Sequence, residues 1–316
     1  MEKNSQNLYG NKLFWINKRI FDIILCLLLL FLLFITAVIP VFAQIKGVIV
    51  DSKNQPIPYV SIAVANENIG TTSEEDGSFI LRISDTSKTI LFSALGYEKY
   101  SAKASNIQKV ILQETEYALD EVIISKRLDT KTKEIGETNS AISQAFDNGP
   151  KIDTKFFPFS DSYKKTKYLK KVSIITDNKV DGATIKLHFY SVGENGQPSE
   201  ELLRKDVLLT LKIGVNKTWI DVSKYNLKFP QTGLFIGYEK LLIERNKLET
   251  QVKDSNTGNL KTKITYYPFV LYNFVDREFS YTFTGGNWIK NSKTDSANKP
   301  IKSKVYEPSL NILLSN

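Results

Sequence analysis

Cysteine is almost absent from this chain of 316 residues: Cys26 is the only one, and it lies inside the first hydrophobic run. Everything after that run must therefore fold without a disulfide. Cys26 follows Leu25 and precedes the run from Leu27, whereas a lipoprotein signal ends on a Cys after a small residue, so lipidation there is excluded. Histidine is equally scarce. With His188 alone, a zinc site using two His ligands cannot be assembled, and any histidine-assisted nucleophile would have to use this residue. Glycine-rich phosphate loops are missing too, because neither residues 193–196 nor Gly285 and Gly286 stand between a strand and a helix. The expectation is a non-catalytic protein with no catalytic residue, no cofactor and no metal.

What is present begins with Lys3, Lys12, Lys18 and Arg19, then an apolar run from Ile23 to Val38, then Pro40 and Val41-Phe42-Ala43. These are the basic region, hydrophobic region and small-residue ending of a secretory signal, and cleavage after Ala43 is expected. The run is also long enough to span a bilayer, so a retained anchor is the rival reading, with membrane contact confined to residues 20–43. Under either reading the remainder is exported to the periplasm, the outer membrane or the cell surface. The formal net charge is +8, but lysines such as Lys164, Lys165, Lys167, Lys170 and Lys171 are spread as on a solvated sheet face. No nucleic-acid partner is expected.

Past residue 43 the apolar residues alternate with period two, and no helical period appears. Strands are expected at 45–50, 59–65, 70–73, 78–83, 89–94, 109–112 and 119–125. Asp51 to Asn54 and Glu74 to Gly77 supply turns, with Gly77 placed for a positive φ. Residues 126–154 lose the pattern and read as a polar linker with one helical turn. Alternation resumes near Tyr168 and gives about eight further strands. The fold class expected is all-β, with two antiparallel β-sandwiches behind a signal helix: a Greek key over 44–125 and a jelly-roll-like sandwich over 155–316.

The blocks Ile45-Lys46-Gly47-Val48-Ile49-Val50-Asp51, Pro56-Ile57-Pro58-Tyr59-Val60-Ser61-Ile62, Gly70-Thr71-Thr72-Ser73, Asp76-Gly77-Ser78-Phe79 and Phe92-Ser93-Ala94-Leu95-Gly96-Tyr97 occur in that order. Together they resemble the carboxypeptidase regulatory-like domain, a transthyretin-like sandwich of exported proteins of Bacteroidetes type. The resemblance implies an accessory module without catalytic residues, followed by an uncharacterised C-terminal sandwich. Leu119 to Ser125 resembles the segment that joins this module to the plug in TonB-dependent receptors. The residues after it are too few for a plug and a large barrel.

Candidate sites are correspondingly few. Alternation in Lys186-Leu187-His188-Phe189-Tyr190 predicts that His188 faces solvent or a groove. Glu239 with Glu244, and Asp276 with Glu278, are carboxylate pairs that fit exposed strand faces as well as a glycosidic site. Asp254 to Asn259 offers oxygen atoms at alternate positions but lacks a closing bidentate acid, so it reads as a hairpin turn. Rings stack on sugar faces, and Trp288, Tyr267 and Tyr272 are the residues selected for ligand binding. The expected partner is an envelope protein or a glycan.

Overall fold

The computed structural model describes residues 25–28, 43–115, 129–136, 142–146 and 149–316. Residues 25–28 are helical, and no helix among the described residues is long and apolar enough to cross a membrane. The expected signal segment and the expected strand 119–125 fall largely or wholly outside the described residues. Gln44–Asn316 forms one compact unit, and it is all-β.

The first sandwich contains β1 (Ala43–Val50), β2 (Ser61–Val64), β3 (Gly70–Thr72), β4 (Ser78–Ile83), β5 (Thr89–Ser93), β6 (Tyr100–Lys103) and β7 (Lys109–Ile111). They form one sheet of order β4-β1-β7 and a second of order β3-β2-β5-β6. Ile49, Phe79 and Leu81 of the first sheet and Ile62, Ile90 and Phe92 of the second share a single buried core. Burying each such side chain contributes about 1.5–3 kcal/mol, which stands in for the missing disulfide. Gly77 has the expected positive φ of 74°, and a Cβ there would collide with the Ile49 carbonyl oxygen. Two details depart from expectation. The β1–β7 pair is parallel, and β6, whose side chains are mostly exposed, has no apolar alternation to announce it.

The second sandwich starts earlier than expected. β8 (Thr132–Ile135), β9 (Ile142–Phe146) and β10 (Ile152–Phe157) lie in the stretch read as a linker. That reading is corrected, because β8 pairs with the final strand, β9 with a central one, and β10 lies inside a sheet. β8 is polar because it is an edge strand, so the hydrophobic signal was absent although the backbone pairing was not. The remaining strands are β11 (Tyr168–Asn178), β12 (Ala183–Val192), β13 (Pro198–Glu201), β14 (Val207–Leu211), β15 (Gly214–Asp221) and β16 (Leu234–Lys240). After them come β17 (Lys247–Lys253), β18 (Leu260–Tyr266), β19 (Phe269–Arg277), β20 (Ser280–Thr284) and β21 (Asn287–Asn291). The chain then adds β22 (Lys293–Thr294), β23 (Pro300–Ile301), β24 (Ser303–Pro308) and β25 (Leu310–Ser315).

Two seven-stranded sheets result. One has the order β13-β12-β16-β10-β20-β21, with β14 on β12; the other has β24-β19-β11-β25-β8, with β15 on β11 and β9 on β19. The expected count of about eight strands is therefore too low. Leu187, Phe189, Ile236 and Tyr238 of one sheet meet Val172, Ile174, Ile312 and Leu314 of the other in one core. β17 and β18 form a separate hairpin whose turn contains Asp254, as the turn reading predicted.

The outer face of β12 and β16 is where the first sandwich sits. Lys186 Nζ donates to the Tyr59 carbonyl oxygen at 2.7 Å, and the Leu242 N–H donates to Thr72 Oγ1 at 3.0 Å. Tyr59, Leu241 and Ile243 make a buried apolar cluster across the junction. Tyr59 itself has φ 56°, a left-handed conformation that is costly for a bulky residue and persists where surrounding contacts over-determine it. At the other end the Asn66 N–H donates to the Gly285 carbonyl at 2.8 Å, and Gly286 lies so close to Leu91 that a Cβ would collide with that side chain.

Leu241 is fully buried in the junction, so Leu241→Ala should destabilise the chain by about 2–5 kcal/mol. Calorimetry of the full chain should show the first sandwich and the second melting together at a lower temperature. A first-sandwich transition left at its wild-type temperature would contradict the coupling.

Candidate functional site

Strand alternation sends Ile185, Leu187 and Phe189 into the core and Lys186, His188 and Tyr190 to the other face of β12. That face is not solvated. His188 is buried, with Nδ1 donating to Glu201 Oε2 at 3.2 Å and Nε2 donating to Glu239 Oε2 at 3.1 Å. The expectation of a solvent-facing or groove-facing His188 is corrected: the neighbouring sandwich covers this part of the sheet, and Ser61 hydrogen-bonds Glu239. Burial disfavours the imidazolium, but the two carboxylates outweigh it and push His188 up to about 9. Burial likewise works against the Glu239 carboxylate, but the His188 hydrogen bond and the Lys186 charge hold it below the usual range. With both ring nitrogens donating, His188 has no lone pair with which to accept a proton. The cluster is a structural ion network and not a general base.

A second polar site opens at the far end of β10. β16 pairs with β10 from Ile152 to Phe157, but β20 pairs only with Ile152 and Asp153. Beyond Asp153 the strands diverge into a cleft of about 460 Å³. Phe156, Phe235, Phe279 and Tyr281 form one wall, with ring centroids 4.8 to 5.8 Å apart in successive pairs. On the floor, buried Lys155 lies 3.0 Å from Glu307, which also accepts from Arg277 Nε at 2.7 Å and Nη2 at 3.0 Å. Arg277 reaches this floor by strand alternation: Val270 and Tyr272 take one face of β19, while Asn273, Val275 and Arg277 take the other. β19 pairs without interruption with β24, where Glu307 stands opposite Asn273. Apolar walls with a few convergent polar groups are the usual make-up of a ligand pocket.

The rings selected from sequence are placed differently. Tyr267 and Tyr272 are both buried and cannot offer a face to a sugar. Tyr272 points into the core, where its hydroxyl donates to Asp153 Oδ2 at 2.5 Å and meets the Tyr238 hydroxyl. Trp288 is half-buried, edge-on to Tyr190 at 5.1 Å and Phe283 at 5.2 Å. The three rings do not form one platform. Tyr272 is inside because it shares the core-facing alternation of Val270. Glu239 and Glu244 do not share a cleft, since Glu239 is buried on His188 and Glu244 is exposed and binds Lys247; Asp276 and Glu278 both line the cleft, and Asp276 binds Lys304 at 3.0 Å. Glu278 lines the cleft mouth. Among the described residues no group of three His, Cys, Asp or Glu side chains is arranged to hold a metal ion.

The fold is thus an all-β chain with two joined sandwiches. Residues 45–124 match the CarboxypepD_reg-like domain, which makes the first sandwich a regulatory or structural module and not a catalytic one. No curated protein matches the chain. Among solved structures, the infectious bursal disease virus Gx strain structure is 11% identical over 86% of this chain and 63% of that one, with a TM-score of 0.20. The infectious bursal disease virus VP2 subviral particle is 12% identical over 86% and 62%, with a TM-score of 0.21. BcpA, the major pilin subunit of Bacillus cereus, is 10% identical over 86% and 95%, with a TM-score of 0.17. The chain therefore spans less than two thirds of either viral chain, and at these scores no shared fold follows.

A histidine pKa raised from 6.5 to about 9 adds stability that is complete below pH 6.5 and is lost as the pH climbs through 9. The wild-type melting temperature should fall across that window. His188→Gln should melt lower at pH 6 and show a flatter profile. A wild-type profile flat between those pH values would rule out the buried imidazolium.

Proposed function

We propose that this chain is a non-catalytic, exported protein of the cell envelope, in which the CarboxypepD_reg-like sandwich is a structural module and the second sandwich recognises an envelope partner. The carrying observation is the cleft beside β10, whose lining residues all belong to the second sandwich. Export is supported by the basic and apolar N-terminal segment ending at Val41-Phe42-Ala43. The absence of turnover is supported by the position of His188, which is locked between two carboxylates and covered at the junction. A glycan as partner loses support from the burial of Tyr267 and Tyr272, and any sugar would have to use the cleft rings instead.

Fractionation of cells expressing the full chain should recover it in the envelope, with a mature N-terminus at Gln44. Recovery from the cytosol with Met1 intact would overturn the reading. A panel of peptide, ester and glycoside substrates should give no turnover that His188→Gln or Glu239→Gln abolishes, and such a turnover would equally overturn it.

A further inference from the structure

One corner of the second sandwich gathers lysines around rings. Lys164, Lys165 and Lys167 precede β11 and follow the short turn Asp161–Tyr163, so the solvated sheet face expected for them is not where they stand. Ser160 Oγ accepts from the Ser162 N–H at 3.3 Å, and the Thr166 N–H donates to the Tyr163 carbonyl at 2.9 Å, which fixes this turn. The Phe229 N–H donates to the Lys167 carbonyl at 2.8 Å, and Tyr168 pairs with Lys228, so a second segment is tied beside the first. Lys164, Lys167, Lys228 and Gln231 thereby surround a hollow of about 180 Å³ that no carboxylate lines. Phe159, Tyr163 and Phe229 wall it, with ring centroids 5.4 to 6.4 Å apart. Lys133 of β8 adds its ammonium 5.2 Å from the centre of the Tyr163 ring.

The acids of the neighbouring elements do not cancel this charge. Asp161 pairs with Lys164 at 2.9 Å, but both side chains are mostly in water, where such a pair is weak. Asp129 holds Lys170, Asp221 stands opposite Lys171, and Glu134 holds Lys217. Tyr163 also lines the cleft beside β10, whose three carboxylates, Asp276, Glu278 and Glu307, are matched by Lys155, Arg277 and Lys302. Among the described residues Lys133, Lys165, Lys167 and Lys228 have no ion pair. Five lysines, counting Lys164, thus face the one carboxylate of Asp161. A lysine ammonium is a mobile, hydrated point charge, and without an arginine fork it does not grip one small anion in a fixed pose. A row of lysines wider than one phosphate suits a surface that carries many. Half-buried Phe159 and Tyr163 among them match the mixture of rings and cations that sits at the headgroup level of a bilayer.

We infer that this corner docks the chain on an anionic lipid bilayer, with Lys164, Lys167 and Lys228 taking headgroup phosphates at the ring-walled hollow and Lys133 and Lys165 adding charge beside them. This contact lies outside residues 20–43 and is separate from partner recognition in the cleft. Attraction of this kind falls off within a Debye length, about 8 Å at physiological ionic strength, so it holds the chain at the surface and is released by salt.

The test uses the compact unit Gln44–Asn316, because the apolar run from Ile23 would enter any bilayer by itself. Sedimentation should recover it with vesicles of equimolar phosphatidylcholine and phosphatidylglycerol and not with phosphatidylcholine alone, and about 1 M salt should release it. Lys165, Lys167 and Lys228 are exposed, so Lys165→Gln, Lys167→Gln and Lys228→Gln leave the fold intact; each should weaken binding about fivefold, and the three together should abolish it. Lys253→Gln, Lys263→Gln and Lys299→Gln together remove the same charge from exposed positions elsewhere and should bind as the wild type does. Hydrogen exchange should show new protection at residues 159–167 and 228–231 on the anionic vesicles. Equal recovery on the two kinds of vesicle, an equal loss in the two triple variants, or binding without that protection overturns the inference. Displacement by glycerol phosphate at the headgroup concentration would assign a soluble phosphate ligand, and binding to polyglutamate without binding to vesicles would assign an acidic protein; either overturns it and leaves recognition in the cleft untouched.

Discussion

The architecture depends on burying one charged row, Lys186, His188 and Glu239, at the seam between two sandwiches. None of these groups would be stable alone in a dry interior. Each has a partner: Lys186 has Asp206 at 3.3 Å and the Tyr59 carbonyl, and His188 has two carboxylates. The first sandwich therefore does more than precede the second. It supplies the carbonyl of Tyr59 and the hydroxyl of Ser61 that complete the network, and its Tyr59 is held in a left-handed conformation while doing so.

Much of the first sandwich was legible because its turns announce themselves. Gly77 and the prolines around Ile57 mark reversals, and the alternation of Phe79, Leu81 and Ile83 marks a half-buried strand. β6 escaped because an exposed edge strand carries no apolar face. β8 escaped for the same reason, while β10 was cut in half because Asp153, Thr154 and Lys155 look like linker residues and are in fact buried. Backbone pairing with distant strands, invisible in local composition, holds them in place.

The candidate site was hardly legible at all. Tyr267 and Tyr272, chosen as rings able to stack on a sugar, proved to be buried and Trp288 half-buried, and His188 was assigned to the wrong environment because alternation reports which face a residue takes, not what lies over that face. Lys155, Arg277 and Glu307 come from strands far apart in sequence, and only the folded chain places them on one floor.

The unbroken register of β19 against β24, from Tyr272 to Arg277, has a reach beyond its own strand pair. It sets Glu307 opposite Asn273 and brings Arg277 to the same face, so that the guanidinium meets the carboxylate along two neighbouring strands. Deleting one residue between Asn273 and Asp276 would turn Asp276 and Glu278 to that face in place of Arg277. Glu307 would then meet carboxylates where it now meets a cation, so the spacing within β19 is as constrained as the residues themselves.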